Sequence, residues 1–334
     1  MKNPVPSQMI AVFVNPENNQ LFTKKVDVPI PQKGEVLIKM LASPINPSDL
    51  AKVREIAAED TADFIPGIEG CGTVVAVGKG LLPRFFKGRR VTCSAKFKTS
   101  GTWAEYMVTS AGSCFPLGRQ ISDEQAAMAL VNPMTALAFL DYARRNGHQA
   151  VVNSAANSAL GKMTALLFEK HHIKVLNIVR NDEGVNELKK RNNKYILNST
   201  EPGFLLELKE WCVKMNATLM LDAVGGELVN RVLDKLPANS TIILYGNLSR
   251  EKIEFLPTQL VRVNKKIIGF SLGHWTEEKG IMKTMLNLMK VNSLLKKGMT
   301  TGIQAGFSLD DIQHAVEMYE KNMGKGKVLI KPGN

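Results

Sequence analysis

The chain of 334 residues is long enough for two domains, and its 44% hydrophobic and 22% charged residues are typical of a globular protein. No apolar run approaches the roughly 20 residues that a bilayer span needs, and neither a secretion signal nor a transit peptide is recognisable. The 43 basic and 31 acidic residues give a net charge of +12, but the basic residues are scattered without interleaved aromatics, which argues against nucleic-acid binding. We expect a cytoplasmic protein without a membrane span, with a mitochondrial location as the alternative.

The first part of the chain, residues 8–120, has the pattern of a compact β module. Its apolar stretches are rich in β-branched residues and are bounded by Gly and Pro. They read "KGEVLIKMLAS", "GCGTVVAVG", "RRVTCSA" and "GTWAEYMVTS". These stretches predict strands of a single module.

From about residue 122 the pattern becomes helical, and from residue 150 strands and helices alternate. The segment "SDEQAAMALVNPMTALAFLDYARRNG" begins with a capping signal and continues with helical spacing. The strands that follow are "AVVN", "KVLNIV", "KYILN", "TLMLDAV", "STIILYG" and "KKIIGF". Six strands with helical crossovers predict an α/β fold with a doubly wound parallel sheet of the Rossmann type.

After Phe270 the chain continues with two helical patterns and a strand. They read "EEKGIMKTMLNLMKVNSLLKKG", "DIQHAVEMYEKN" and "GKVLIKPG". No seventh strand–helix unit is left for this tail to join, so we predict that it returns to the β module. The expected domains are a split β-rich domain, residues 1–122 and 272–334, and an inserted domain, residues 123–271.

The turn after the first strand of the inserted domain, "NSAANSALG", predicts a dinucleotide-binding turn with few glycines. Such a turn must bend tightly, approach a diphosphate with its backbone, and lead into a helix whose N-terminal amides face that charge. Small side chains allow this approach while φ is negative, and Asn157 tolerates left-handed geometry better than most residues. Gly161 lies where helix and strand must pack closely.

Arg180 ends the second strand of this domain, "VLNIVR". An acidic residue near this point would favour NAD by binding the ribose hydroxyls. An arginine instead suits the 2′-phosphate of NADP, because it can form a bidentate, charge-assisted contact. Asp182 lies nearby. The alternative is that Arg180 merely caps a solvent-exposed strand end and binds no cofactor. Considered with the turn and the six strands, Arg180 predicts NADPH as the cofactor.

A series of motifs extends over nearly the whole chain: "ASPINPSDL", "PGIEGCGTVVAVG", "GTWAEYMV", "NPMTA", "SAANSALGKM", "NIVR", "DAVGG", "LYGNLS" and "GKGKVLI". In their sequence and order, these motifs resemble those of the medium-chain dehydrogenase/reductase superfamily. The branch that looks most similar contains zinc-free quinone oxidoreductases and related 2-enoyl thioester reductases. The resemblance implies a GroES-like catalytic domain for the β-rich part and a Rossmann NADP-binding domain for the inserted part.

The resemblance also implies site residues, position by position. The residues expected at the diphosphate turn or the 2′-phosphate are Ser154, Asn157, Ser158, Gly161 and Arg180. Those expected near the ribose and nicotinamide are Tyr245, Gly246 and, from the first domain, Lys327. As catalytic groups, Asn46 and Thr135 would flank the nicotinamide, with Asp49 behind them.

The same resemblance argues against a catalytic zinc ion. The metal-dependent branch has a cysteine where this chain has Asn46 and a histidine where it has Ile68. Glu69 alone cannot supply the three protein ligands that such an ion needs. The four cysteines lie far apart without a C-x-x-C pair, and the five histidines follow no ligand spacing. We therefore expect no metal.

Without a metal, the hydride acceptor must itself spread the developing negative charge, which favours small-molecule quinones and conjugated enones or enals over simple ketones. An enoyl thioester reductase is one alternative, although that branch has a tyrosine at the position of Ala57. A non-catalytic NADPH-binding subunit of a larger assembly is an alternative of another class. The segment "KKIIGF", at the sheet edge, would pair with its symmetry mate and so predicts a homodimer.

Overall fold

The computed structural model describes residues 5–58, 64–95 and 100–333, except for the side chains of residues 56–58. The chain separates into two compact units. Unit 1 comprises Met1–Val131 and Leu288–Asn334, and unit 2 comprises Asn132–Asn287. The domain boundaries at 122/123 and 271/272 stay a prediction; the units themselves divide at 131/132 and 287/288.

The strands of the described residues are numbered here in chain order. They are β1 (Gln8–Val14), β2 (Leu21–Asp27), β3 (Glu35–Pro44), β4 (Glu69–Val77), β5 (Arg90–Ser94), β6 (Tyr106–Ser110), β7 (Cys114–Phe115), β8 (Ala150–Asn153), β9 (Lys174–Val179), β10 (Tyr195–Asn198), β11 (Leu219–Asp222), β12 (Thr241–Leu244), β13 (Lys266–Gly269), β14 (Ile303–Phe307) and β15 (Lys327–Ile330).

The α-helices are numbered in the same way. They are α1 (Pro47–Ala58), α2 (Leu81–Phe86), α3 (Asp123–Ala127), α4 (Val131–Arg145), α5 (Ala159–Lys170), α6 (Asp182–Lys190), α7 (Phe204–Met215), α8 (Gly226–Val232), α9 (Thr258–Val261), α10 (Leu272–Lys296) and α11 (Ile312–Lys321). α10 is kinked at Gly280, whose φ is 73°. Of the described helices, none combines the length and the apolar character that a membrane span requires.

Unit 1 is built on β-sheets, as the pattern of residues 8–120 predicts. β1 pairs with β2, and a larger sheet has the order β14-β15-β3-β4-β5-β7, with β6 paired to β3. β15 runs antiparallel to β3, with Leu329 opposite Pro44, so the tail joins the first module as expected. α11 packs against this sheet in a core that includes the fully buried Trp103 and Val328.

The helical segment that begins at residue 122 forms two helices rather than one. Ser122 caps α3 by accepting a hydrogen bond from the amide of Gln125, as the capping signal predicts. α3 ends at Ala127, however, and α4 begins only at Val131. Pro133 explains the interruption. Its ring would clash with the carbonyl four residues earlier in a continuous helix, whereas the first turn of a new helix tolerates it.

Unit 2 contains a doubly wound parallel sheet, which confirms the predicted fold. The strand order is β10-β9-β8-β11-β12-β13, so the winding reverses between β8 and β11. Every residue of these two central strands is buried, as expected for strands covered by helices on both faces. In sheets of this kind, ligands bind outside the carboxyl ends of the strands at the reversal point.

Candidate functional site

A buried polar cluster in unit 1 begins at Asn46, where β3 leads into α1. The Asn46 carbonyl accepts hydrogen bonds from the amides of Asp49 and Leu50, at 3.0 and 3.3 Å. Oδ2 of Asp49 in turn accepts a hydrogen bond from the backbone amide of Asn46 at 2.7 Å, a reciprocal contact of the kind found in capping boxes. Oδ1 of Asp49 accepts the amide of Ile68 at 2.8 Å. Asp49 therefore joins the start of α1 to the segment before β4.

The side-chain amide of Asn46 connects Lys327 to Glu69. Nζ of Lys327 donates hydrogen bonds to Oδ1 of Asn46 and, at 3.0 Å, to the carbonyl of Ile45. Nδ2 of Asn46 donates to Oε1 of Glu69 at 3.0 Å. Because an ammonium can only donate and a carboxylate can only accept, these two partners fix the Asn46 amide in one orientation.

Glu69 also caps the start of α4. Its Oε2 accepts the amides of Leu130 and Val131, at 3.0 and 2.9 Å, which belong to the helix end whose N–H groups have no intrahelical partner. The sequence resemblance, in which Glu69 is considered only as an insufficient zinc ligand, does not predict this capping role. A signal was present in the sequence, because a carboxylate at the start of a buried apolar strand needs several donors around it.

Burial shifts the protonation equilibria of this cluster. Asp49 and Glu69 are each 1% exposed and Lys327 is 3% exposed. Burial raises the pKa of Asp49 to about 7, raises the pKa of Glu69, and lowers the pKa of Lys327 to about 8. Two carboxylates and one ammonium leave one uncompensated negative charge, so the cluster as a unit favours the uptake of one proton.

The residues of this cluster do not fit a zinc ion. The ammonium of Lys327 binds the Asn46 amide oxygen, so a divalent cation there would meet a like charge and an occupied ligand. Within the ranges that the structure describes, no group of three or more His, Cys, Asp or Glu side chains is arranged to hold a metal. The chemistry proposed below therefore uses the protein's own polar groups.

In unit 2, the turn between β8 and α5 brings several predicted residues together. Oγ of Ser158 accepts the amide of Gly161 at 3.0 Å and so caps α5. Gly161 is packed so closely that a Cβ atom would lie 2.6 Å from the carbonyl oxygen of Ala155. Oδ1 of Asn157 is buried and has no hydrogen-bond partner among the described residues. A ligand hydroxyl at this turn would satisfy that oxygen, whereas a diphosphate, which only accepts hydrogen bonds, would not.

The left-handed residue of the turn is Ala155, not Asn157. Ala155 has a φ of 48°, whereas Asn157 is not among the residues with positive φ. The condition of a negative φ, under which a small side chain can replace glycine, is therefore not met at Ala155. Left-handed geometry costs alanine about 1–2 kcal/mol, so the turn carries local strain that glycine would not have.

Ser154 and Asp222 lie at the ends of β8 and β11, where the sheet reverses its winding. Oγ of Ser154 accepts the amide of Ala223 at 2.9 Å, and Oδ2 of Asp222 accepts the amide of Gly225 at 2.7 Å. Burial raises the pKa of Asp222, and its Oδ1 has no partner in the described part of the chain. The motif "DAVGG" points to this segment, but Asp222 itself is absent from the predicted site. A donor group of a bound ligand could satisfy its free oxygen.

The remaining predicted cofactor residues in unit 2 lie at the ends of β9 and β12, the strands on either side of the β8–β11 pair. Arg180 directly follows β9 and is exposed. Tyr245 directly follows β12, and its amide donates to the carbonyl of Asp222 at 2.9 Å. At the adjacent Gly246, a Cβ atom would lie 2.9 Å from the carbonyl oxygen of Ala223, so only glycine fits there without a shift.

Thr135 is buried in the first turns of α4. One turn further along this helix, the ring of Phe139 lies 4.9 Å from the ring of Tyr245. Burial, reinforced by the charge of Asp222, raises the pKa of the Tyr245 hydroxyl, which therefore stays protonated. Unit 2 thus brings the helix of Thr135 next to the predicted ribose residues, while Asn46, Asp49 and Lys327 lie together in unit 1.

The residues of unit 2 fit a dinucleotide phosphorylated on its ribose. The capped start of α5 offers backbone amides and the positive end of the helix dipole to a diphosphate. Two buried oxygens, on Asn157 and Asp222, lack donors within the described ranges. The exposed guanidinium of Arg180 is free to meet a phosphate at the end of β9.

Two family models match the chain. Residues 32–119 match the alcohol dehydrogenase GroES-like domain, and residues 159–290 match the family described as zinc-binding dehydrogenase. Together the two matches span about two thirds of the chain.

Known proteins of two named activities are similar to the chain. The mitochondrial enoyl-[acyl-carrier-protein] reductase of Caenorhabditis elegans is 29% identical over 293 residues, which cover 85% of this chain and 83% of that protein. A crystal structure from Mesorhizobium loti, described as a candidate NADPH:quinone reductase, is 29% identical with a TM-score of 0.89 and covers 98% of this chain and 100% of its own. A mycobacterial protein complexed with NADPH is 22% identical with a TM-score of 0.82, covers 97% and 100%, and supports the fold alone.

Proposed function

Because this chain belongs to the medium-chain dehydrogenase/reductase superfamily, we propose that it is an oxidoreductase that transfers hydride from NADPH, without a metal, to a quinone or a conjugated enone or enal. The observation that carries this proposal is the contact chain Lys327–Asn46–Glu69. It holds an ammonium and a fixed amide at the position where the metal-dependent branch has a cysteine ligand.

The cofactor residues would act from unit 2. The capped start of α5, with Ser158 and Gly161, would bind the diphosphate, and Arg180 would bind the 2′-phosphate. Tyr245 and Gly246 would lie against the ribose. When bound, NADPH supplies the hydride, and the protein contributes orientation and electrostatics.

The catalytic groups would polarise the acceptor rather than bond to it. Asn46 and Thr135 would orient the acceptor oxygen, on which negative charge develops as hydride arrives. Lys327 and Glu69 would keep the side-chain amide of Asn46 in one orientation. Asp49 would hold the start of α1 against the segment before β4. A hydroquinone anion formed in this way can take its proton from water, so this reaction needs no dedicated acid.

The direct test is the oxidation of NADPH, followed by its absorbance, with phenanthrenequinone or a small enone in the presence of a chelator. We expect turnover that the chelator leaves unchanged and that is much slower with NADH. Enhanced nicotinamide fluorescence without turnover of any such acceptor would instead favour the non-catalytic NADPH-binding subunit.

An enoyl thioester reductase is the second candidate, because the curated relative from Caenorhabditis elegans carries that name. The position of its expected tyrosine is occupied by Ala57, which lies in α1 and whose side chain is outside the described residues. The discriminating assay compares Ala57→Tyr with Ala57→Phe on an enoyl-CoA. We expect wild type to reduce the enoyl-CoA poorly and only the tyrosine variant to gain activity. A wild type that prefers the enoyl-CoA over every quinone would establish the second candidate.

A homodimer is the assembly that the exposed surfaces of unit 2 favour. β13 is the outermost strand of its sheet, and no strand of the described residues pairs with its outer edge. The helix that follows it, α10, exposes apolar side chains on successive turns; they include Ile281 and Met282, each 82% exposed, and Leu286. A second copy could extend the sheet across β13 and cover this face, since two-fold symmetric pairing needs only one self-complementary surface.

Two observations bear on the compartment of the protein. The relative from Caenorhabditis elegans is mitochondrial, and this chain has a sequence pI of about 9.5. Both observations support the mitochondrial alternative over the cytoplasm. Fractionation of the producing cell, with the protein detected by antibody, would decide between them.

A further inference from the structure

The short helix α2 carries an apolar surface that no other part of the described chain covers. Leu81 is 87% exposed, and Leu82 and Phe85 are each 50% exposed. Phe86, on the opposite side of the same helix, is buried in the core of the β module and fixes α2 in place. Three large apolar side chains are therefore held out toward solvent by a well-anchored element, which is unusual for so short a segment.

The segment around these side chains is strongly basic. Between Glu69 and Glu105 the sequence contains seven Lys or Arg residues and no Asp or Glu. Arg84, Lys87 and Arg89 of this segment are exposed. The Arg89 guanidinium lies 3.9 Å from the centroid of the Phe85 ring, so charge and apolar surface are interleaved.

We propose that this α2 surface, formed by Leu81, Leu82, Arg84, Phe85, Lys87 and Arg89, docks the protein on an anionic lipid bilayer. The basic residues match the negative potential of such a surface, and the apolar side chains can enter the headgroup region. An acidic protein would also match the charge, but it would need a cavity for each protruding side chain. A bilayer accepts protruding apolar groups without a preformed cavity, so the lipid surface is the occupant that fits.

This docking is independent of the proposed reaction, but it would have a consequence for it. Quinones with long apolar tails dissolve in membranes rather than in water. An oxidoreductase held at the bilayer surface would meet such acceptors at a higher local concentration. The surface therefore suggests where an apolar acceptor would be encountered, without changing the residues assigned to hydride transfer.

The test is flotation of the full chain with phosphatidylcholine vesicles that either contain or lack phosphatidylglycerol. We expect the wild type to float only with the anionic vesicles, and less so in high salt. Leu81→Ser/Phe85→Ser and Arg84→Glu/Lys87→Glu should each reduce the bound fraction by about tenfold. The matched control, Leu206→Ser/Val213→Ser, alters two exposed apolar residues of α7 and should float like the wild type.

Two readouts keep the result interpretable. Circular dichroism and NADPH oxidation should be unchanged in the α2 variants, which shows that they are folded and that loss of flotation is a loss of docking. Absence of flotation by the wild type, or wild-type flotation by both α2 variants, would overturn the proposal. Retention of the non-floating wild type on an immobilised acidic protein would then identify a protein partner instead.

Discussion

Arg180 is the residue on which the choice between the two nicotinamide cofactors depends. Replacing it with alanine should weaken NADPH binding by ~1.5–3 kcal/mol, because a charged hydrogen bond to the 2′-phosphate is lost. NADH binding should be nearly unchanged. Calorimetric titration of both cofactors measures the difference directly.

The control for this prediction is Arg191→Ala, which removes an exposed arginine after α6 and should affect neither cofactor. Equal losses of NADPH and NADH affinity in Arg180→Ala would mean that the side chain supports the fold of the strand end. In that case another residue must select the phosphate.

Asp49 should make stability depend on pH. Its folded pKa of about 7 lies above its ordinary value, so the folded state holds the proton more tightly than the unfolded chain. The resulting stabilisation is fully present below about pH 4 and is lost as pH rises through about 7. Urea unfolding of the wild type should therefore give a lower free energy of unfolding at about pH 8 than at about pH 5.

Asp49→Asn should reduce this decrease, because the cluster then holds one carboxylate against one ammonium. The exposed Asp27→Asn variant should keep the wild-type slope. The comparison stops at about pH 8, because the lowered pKa of Lys327 adds an opposite trend above that value. Parallel slopes in Asp49→Asn and wild type would contradict the prediction.

The sequence predicts which residues line the proposed site but not their hydrogen-bond partners. Asn46, Asp49 and Lys327 were expected near the cofactor from the family pattern, but their shared network with Glu69 was not. Lys327 lies far from Asn46 in sequence, and only the pairing of β15 with β3 brings them together. A single sequence contains no register for that pairing, so these contacts could not be derived from it.

At the scale of elements, the turn before α5 should tolerate no side chain at Gly161. Gly161→Ala should destabilise the protein by ~1–3 kcal/mol and weaken NADPH binding, because its Cβ would press on the backbone of Ala155 and Ala156. Thermal unfolding with and without NADPH measures both effects.

Gly203→Ala is the matched control. It precedes α7 with a negative φ of −82°, and its Cβ would lie 3.5 Å from a side-chain oxygen of Glu207. Its effect on stability should stay within about 0.5 kcal/mol. If Gly161→Ala proved equally mild, the turn would be able to move without loss, and its close packing would not be needed for binding.

Periodicity predicted the elements of unit 2 more reliably than their local geometry. The six strands appear as expected because parallel strands buried on both faces leave continuous apolar runs. The break between α3 and α4 was missed although Pro133 was visible, because apolar spacing continued across it. The left-handed φ of Ala155 was also missed, since backbone strain at a residue with a Cβ leaves no compositional signal.

At the scale of the whole molecule, the proposed homodimer should depend on the apolar face of α10. Ile281→Lys/Met282→Lys should convert a dimer to a monomer, because burial of two charged groups at a close-packed interface is unfavourable. Light scattering after size exclusion gives the mass of each species. Leu206→Lys, at an exposed position of α7, should leave the mass unchanged. A wild type that is monomeric at all accessible concentrations would exclude the dimer.

The β module and the inserted sheet have different periodicities, and this difference is the basis for predicting two domains. The boundaries at 122/123 and 271/272 stay a prediction, and the compact units divide at 131/132 and 287/288, within or next to α4 and α10. A helix has the same spacing on both sides of such a point, so the pattern contains no mark of it.

The interruption of unit 1 by unit 2 has a consequence for synthesis on the ribosome. All the strands of unit 2 have emerged before β14 is translated, so this part of the nascent polypeptide can fold while unit 1 still lacks two strands. Until β15 arrives with Lys327, the carboxylates of Asp49 and Glu69 would have no ammonium to balance them. The sheet of unit 1 can therefore be completed only after the whole of unit 2 has been synthesised.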